Sequence, residues 1–232
     1  MKFLFLLLYN FLEDFLHLVK IKKFLKKNVL FKKSIIFDVG CHKGKITKIF
    51  FDLYNQSKIY CFEPNKLLHK IIKQNNSNKN LTVNSCALGK KEEEKILSLE
   101  DLDLTSSLSK INKNSFYLKV KKLILGEAKN SLIKKVKVTT IDNFCKTKKI
   151  KKIDLIKIDV EGHEYMVLLG SKKMIKNINY IIIEIQKNSM YKDYSKKKIE
   201  SFLKKNNFYL LKKFNFPFMF FEDRLYKNKK FD

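Results

Sequence analysis

The sequence predicts an α/β fold in which an open, mostly parallel sheet is covered by helices on both faces and ends in an antiparallel strand pair. Strand-like and helix-like segments alternate from residue 34 onward, and such alternation implies parallel pairing through right-handed crossovers. At 232 residues the chain is long enough for one sizeable core. Two strand ends, "FDVGCHKGK" and "IKIDVEGHE", run into glycine turns before a helix. Open parallel sheets bind ligands at such ends.

Residues 1–31 read as an N-terminal helical extension ahead of a domain over 32–232. Its opening apolar run is broken by Glu13 and Asp14, short of the ~20 residues a membrane-spanning helix needs. It lacks the small-residue cleavage site of a signal peptide. Phe11, Leu12, Phe15, Leu16, Leu18, Val19 and Leu25 fall near helical spacing with lysines between them, the pattern of an amphipathic helix. That helix either packs on the domain or on a second copy of the chain, or lies peripherally on a membrane; packing is the preferred expectation.

"SIIFDVG" reads as a strand followed by the helix "KGKITKIFFDLYN"; "KIYCFEP" is a second strand, "NKLLHKIIKQNN" a second helix and "LTVNSCALG" a third strand. Residues 90–135 break the rhythm and read as an irregular insertion or lid, with "EEEKILSLE" as a short strand within it. Order returns with "VKVTTIDNFC". "IDLIKI" is a buried strand, the apolar spacing beyond it predicts a helix to about Ile175, and "INYIIIEIQ" is a further strand. "SKKKIESFLKKNN" is a helix with Ser195 as N-cap, and "FYLLKKF" with "PFMFFEDRLY" forms the closing pair.

Lysine and arginine number 50 against 23 acids, for a formal net charge of +27. Such a charge suggests an anionic partner. Yet Arg224 is the sole arginine, and the rest of the chain is rich in Asn, Ile, Phe, Tyr and Leu. All of these have AT-rich codons, so compositional drift accounts for the lysines, and nucleic-acid recognition would lack its arginine forks. Cys41, Cys61, Cys86 and Cys145 are widely spaced, which signals neither a zinc site nor a disulfide framework and fits a reducing, cytoplasmic setting.

In "FDVGCHKGK" a strand delivers Asp38, Gly40 and Gly44 to the start of a helix, and Glu63 ends the second strand about 20 residues on, as expected of a carboxylate that takes the hydroxyls of an adenosine ribose. A dinucleotide site would prefer G-x-G-x-x-G. The G-x-x-x-G found here, with an acid suited to a cationic amino-acid moiety, fits S-adenosylmethionine better than a nicotinamide cofactor.

These residues, with "CFEP", "NSCALG", "TSSL", "VTTIDNF", "IDLIKIDVEGHEYMVLLG" and "IIIEI", occur in the order and spacing of the FkbM-type methyltransferase family, which the chain resembles over about residues 34–186. The resemblance implies a seven-stranded Rossmann-like class I methyltransferase domain using S-adenosylmethionine, commonly for O-methylation of sugars or other hydroxylated metabolites. By that resemblance the cofactor would meet Asp38, Gly40, Cys41, His42, Gly44, Glu63, Pro64, Cys86 and Ala87. Cys41 and His42 stand where the family usually has alanine and asparagine.

A sugar hydroxyl is a poor nucleophile and benefits from a base. Asp159 ends the central strand, and Gly162 allows a turn that would aim Glu161 and His163 at the same mouth. His163 or Asp159 is the expected base, with Glu161 and Glu164 orienting acceptor or partner; His163 and Glu164 could instead simply begin a helix. Glu184, and Ser106 and Ser107 from a lid, are further expected acceptor contacts. Asp, Glu and His converging here could also bind a divalent metal, but no compact ligand spacing beyond D-x-E-x-H supports one, and no metal is assigned. An RNA ribose methyltransferase and a non-catalytic interaction module are the rival readings.

Overall fold

The structure, a computed structural model, describes residues 11–100, 106–112, 114–115, 118–119, 123, 131–187, 190–216 and 220–232. The apolar run over residues 1–10 lies outside them. Strands β1 (Ile35–Val39), β2 (Lys58–Phe62), β3 (Leu81–Asn84), β8 (Ile153–Ile158), β9 (Ile178–Gln186), β10 (Phe208–Asn215) and β11 (Phe221–Asn228) form one sheet in the order β10-β11-β9-β8-β1-β2-β3. The first five named are parallel and β11 runs antiparallel to both neighbours. From β1 the chain moves outward through β2 to β3, then returns to place β8 on the other side of β1. The strand order therefore reverses between β1 and β8.

Helices cover both faces. The first of them, α1 (Leu18–Asn28), lies with α2 (Lys45–Leu53) and α3 (His69–Asn75) over a core that includes Ile36, Leu155, Ile182 and Leu225; α4 (Ile141–Thr147), α5 (Glu164–Leu169) and α6 (Lys196–Lys205) cover Phe37, Ile156, Ile158 and Ile183 on the other face. Thr140 caps α4 by accepting from the N–H of Asn143 at 2.9 Å, and Ser195 caps α6 by accepting from Lys198 at 3.3 Å. Helix α5 is shorter than predicted. Gly170 packs so closely on Gly89 that a Cβ there would collide with its carbonyl, and the Ser171 hydroxyl donates to the carbonyl of Leu168 at 2.7 Å, ending the helix.

The predicted N-terminal helix is present, preceded by a π-helical segment Leu12–His17. It is a layer of the fold: Ile21, Leu25 and Val29 are wholly buried against the sheet, while Phe11 and Leu16, which the spacing also placed on the apolar face, are exposed. Among the described residues no helix is long and apolar enough to cross a membrane.

Within residues 90–135 the strand expected at "EEEKILSLE" is present and belongs to a second sheet. Here β5 (Glu93–Glu100) pairs antiparallel with β7 (Ser131–Thr139) from Glu93↔Val138 to Glu100↔Ser131, and β4 (Ala87–Leu88) and β6 (Ser106–Ser107) complete a second sheet, β4-β7-β5-β6. Among the described residues the buried face of the β5–β7 pair holds Leu97, Val136 and Val138 with Leu108, whereas its other face carries pairs such as Glu94 with Lys135. So narrow an apolar face reads in sequence as a polar loop.

Because α1 seals part of the main core, Leu25→Ala should destabilise the protein by about 2–5 kcal/mol. Urea unfolding followed by circular dichroism measures this, and a change below about 0.5 kcal/mol would mean that α1 is only loosely attached.

Candidate active site

On the face under α1–α3, Ile36, Leu155, Ile182 and Leu225 form an apolar row. Side chains alternate across a sheet, so residues two further toward the strand ends share that face. These are Asp38, Lys157, Glu184 and Asp223: Asp38 lies opposite Lys157 in the register, and Glu184 opposite Asp223. All four are nearly or fully buried. They form the floor of a cavity of about 610 Å³ at the carboxyl ends of the parallel strands.

One half of the cavity is walled by Asp38, Gly40, Cys41, His42, Glu63, Pro64 and Ala87. Gly40 has φ +80°, and a Cβ there would collide with the carbonyl oxygen of Asp159, so the turn after β1 needs glycine twice over. His42, at φ +48°, donates its N–H to Glu63 Oε2 at 3.1 Å; Asn65 donates to Oε1 at 2.8 Å. With one backbone donor per oxygen, the carboxylate keeps acceptor capacity for a diol. Asp38 Oδ2 accepts from the Thr47 hydroxyl, whereas its Oδ1 is buried without a hydrogen-bond partner. An orphaned carboxylate oxygen at a cavity wall calls for a donor, and the ammonium and ribose of S-adenosylmethionine match these two acids. Burial pushes both carboxyls up to about 7, against the Thr47 and Lys157 contacts on Asp38 and the backbone donors on Glu63.

The other half presents Ser106, Asp159, Glu161, His163 and Glu184. Asp159 keeps 35% of its side chain exposed and accepts from Lys157 Nζ at 2.9 Å. Glu161 takes the left-handed conformation, φ +52°; the Tyr191 hydroxyl donates to its Oε2 at 2.6 Å, and a Cβ on the following Gly162 would collide with the Tyr191 ring. His163 is buried, and burial, with Lys95 nearby, pulls its imidazole down to about 4. It is therefore neutral at ordinary pH. Burial pushes Glu184 well above the usual carboxylate range, with Asp159 and Glu161 adding to the rise, and its neighbour Gln186 donates to it.

Four residues expected at the site do not line the cavity. Gly44 shapes the start of α2 at φ +77°, where a Cβ would press on the Asn76 amide. Cys86 is half-buried against the core under α4–α6. The Ser107 hydroxyl donates to the carbonyl of Glu161 at 2.6 Å, which holds the second sheet against the acidic turn. Glu164 is fully buried and accepts from the N–H groups of Val160 and Gly162 at 3.2 and 3.0 Å, so it shapes the turn from within. Among the described residues no group of three His, Cys, Asp or Glu side chains has the geometry of a metal site.

Sequence reasoning missed Lys157, His17, Asp223, Phe221 and Tyr191. Lys157 had a signal, since a lysine inside an aliphatic strand must find counter-charges or stay unburied. His17 and Phe221 line the cavity from the chain's two ends, and nothing local to either residue announces that role.

Residues 38–210 match the Methyltransferase FkbM domain. Over 165 residues the chain is 26% identical to the hexuronic acid methyltransferase AglP of Haloferax volcanii, a match that covers 70% of this chain and 60% of that relative. The fold resembles magnesium protoporphyrin IX methyltransferase (ChlM) from Synechocystis PCC 6803, solved with bound SAM, at a TM-score of 0.52 and 9% identity over 91% of this chain and 78% of that one. It also resembles an rRNA methylase from Streptococcus thermophilus, at a TM-score of 0.50 and 12% identity over 90% of this chain and 94% of that one.

Glu164 yields a pH prediction. Burial raises its carboxyl from 4.5 to about 7, so the folded state holds a proton that the unfolded state releases. Its contribution is present below about 4.5 and lost as pH rises through about 7. Glu164→Gln keeps an acceptor for the two turn N–H groups and removes the titration. The melting temperature of the variant relative to wild type should rise between pH 5 and pH 8; a pH-independent difference would show that Glu164 is not held protonated.

Proposed function

We propose that this chain, which belongs to the FkbM methyltransferase family, transfers the methyl group of S-adenosylmethionine to a hydroxyl of a sugar acceptor. The observation that carries the reading is the meeting, across Gly40, of two buried acids suited to the cofactor with a half-exposed carboxylate, Asp159, in one cavity. Its likeness to a hexuronic acid methyltransferase supports uronic acids and their glycosides as the first acceptors to try.

Asp38 would hold the amino-acid end of the cofactor and Glu63 the ribose hydroxyls. The cofactor supplies an electrophilic methyl carbon on a sulfonium. Transfer is an in-line displacement, so much of the acceleration comes from holding the acceptor oxygen near contact and aligned. Asp159 takes the proton of the acceptor hydroxyl as the new O–C bond forms. Lys157 donates to that carboxylate, and Glu184, whose carboxyl burial raises well above the usual range, faces the same cavity as a contact for an acceptor oxygen. His163, whose imidazole burial pulls down to about 4, is a weak base and is assigned to the wall of the cavity.

Calorimetric titration with S-adenosylmethionine should show saturable binding that Glu63→Ala abolishes. Methyl transfer from radiolabelled S-adenosylmethionine to glucuronides should then be found, with Asp159→Asn lowering kcat by about 10²–10⁴ while cofactor affinity stays within twofold of wild type. Failure of the folded wild type to bind the cofactor would overturn the reading, and full turnover in the Asp159 variant would remove that residue as base.

A further inference from the structure

We propose that His17 is a positioning residue of the active site, fixing the carboxylate of Asp159 through Asp223 and Lys157. The assignment rests on Asp159 being the proton acceptor in the reading above. His17 Nε2 stands 2.7 Å from Asp223 Oδ2, Asp223 Oδ1 stands 3.0 Å from Lys157 Nζ, and Lys157 Nζ donates to Asp159 Oδ2 at 2.9 Å. His17, Asp223 and Lys157 are all buried, so the first two contacts are largely shielded from water, and the third opens to the cavity at Asp159.

The two oxygens of Asp223 are divided between two partners, and this division gives the row its direction. Facing a carboxylate, the His17 nitrogen donates; burial alone would raise the Asp223 carboxyl, but Lys157 and His17 outweigh it and hold the group below the usual carboxylate range. With Oδ2 committed to His17, only Oδ1 is left for Lys157. Lys157 Nζ meets Oδ1 as an ion pair and donates its hydrogen bond to Asp159. Without His17, Asp223 is free to rotate, and the ammonium that it faces is no longer held in place against Asp159.

The histidine is itself fixed. Its ring meets Phe216 and Phe221 edge-on, with centroids 5.7 and 5.8 Å away, and those two phenylalanines stack at 4.5 Å. His17 precedes α1, whose buried Ile21 and Leu25 anchor it to the sheet. Both His17 and Asp223 lie outside the residues that match the family domain, 38–210. The family motif supplies Lys157 and Asp159, and this chain's two ends supply what orients them.

The test compares the full-length wild type with His17→Ala and with His17→Gln, whose side-chain amide can still donate to Asp223. Hydrogen exchange over residues 157–163 is measured in each, together with kcat and KM for a glucuronide acceptor and calorimetric S-adenosylmethionine affinity. His17→Ala is expected to speed exchange across 157–163 and to lower kcat by about 10- to 100-fold, with KM and cofactor affinity within twofold; His17→Gln recovers both exchange and kcat. Unchanged exchange at 157–163, retained kcat, or equal loss in the two variants would overturn the proposal. If His17→Ala does not fold, Asp223→Asn is read by the same criteria. Should the wild type methylate no acceptor, the exchange arm decides alone, so failure of the acceptor assignment is distinguishable from failure of this one.

Discussion

Lys157 is a cation buried in the central strand among Asp38, Asp159, Glu184 and Asp223, and the site depends on how that charge is compensated. Burial alone would discharge the amine. Asp159, Asp223 and Glu184 more than reverse this and raise its pKa above the ordinary lysine value. Removing one partner from such a buried pair typically costs 3–5 kcal/mol, because the remaining charge stays desolvated. Four strands must therefore end in step, since a slip of one residue would turn Lys157 toward the apolar layer on the other face.

The same row separates two tasks. Toward β1 and β2 the acids have backbone or hydroxyl donors and one orphaned oxygen, a setting for a cationic ligand with a diol. Toward β8 and β9 Asp159 shares an ammonium and remains open to the cavity, while burial raises the Glu184 carboxyl well above the usual carboxylate range. Neighbouring carboxylates of one pocket thus sit in unlike surroundings, one buried and one open to the cavity. The glycine at position 40 lets the two halves meet without a side chain between them.

Most of the main sheet was legible because parallel strands buried on both faces appear as aliphatic runs, as in "IDLIKI" and "INYIIIEIQ". The glycine turn after β1 and the glutamate ending β2 were legible as well, since their chemistry is local. Contacts between distant parts of the chain were not. Glu164 reads as one more acid of the cluster, yet its carboxylate folds back into the turn; "PFMFFEDRLY" reads simply as half of a closing strand pair, yet Glu222, Asp223 and Arg224 are all buried. The second sheet escaped because its charged face, with lysine set against glutamate, has the composition of a loop. Helix α1 was recognised as amphipathic, but what it covers could be learned only from the fold.

Arg224 occupies a particular place in the sheet. It lies in β11, interior to the sheet between β9 and β10, with its guanidinium tied to Glu222 and Glu200. Lysine cannot reproduce that fork. Being the sole arginine in 232 residues, it also gives an arginine-specific protease a single cleavage site, deep in the strand that carries Asp223. Cutting requires that strand to leave the sheet, so the protein contains its own reporter for the opening of one interior element.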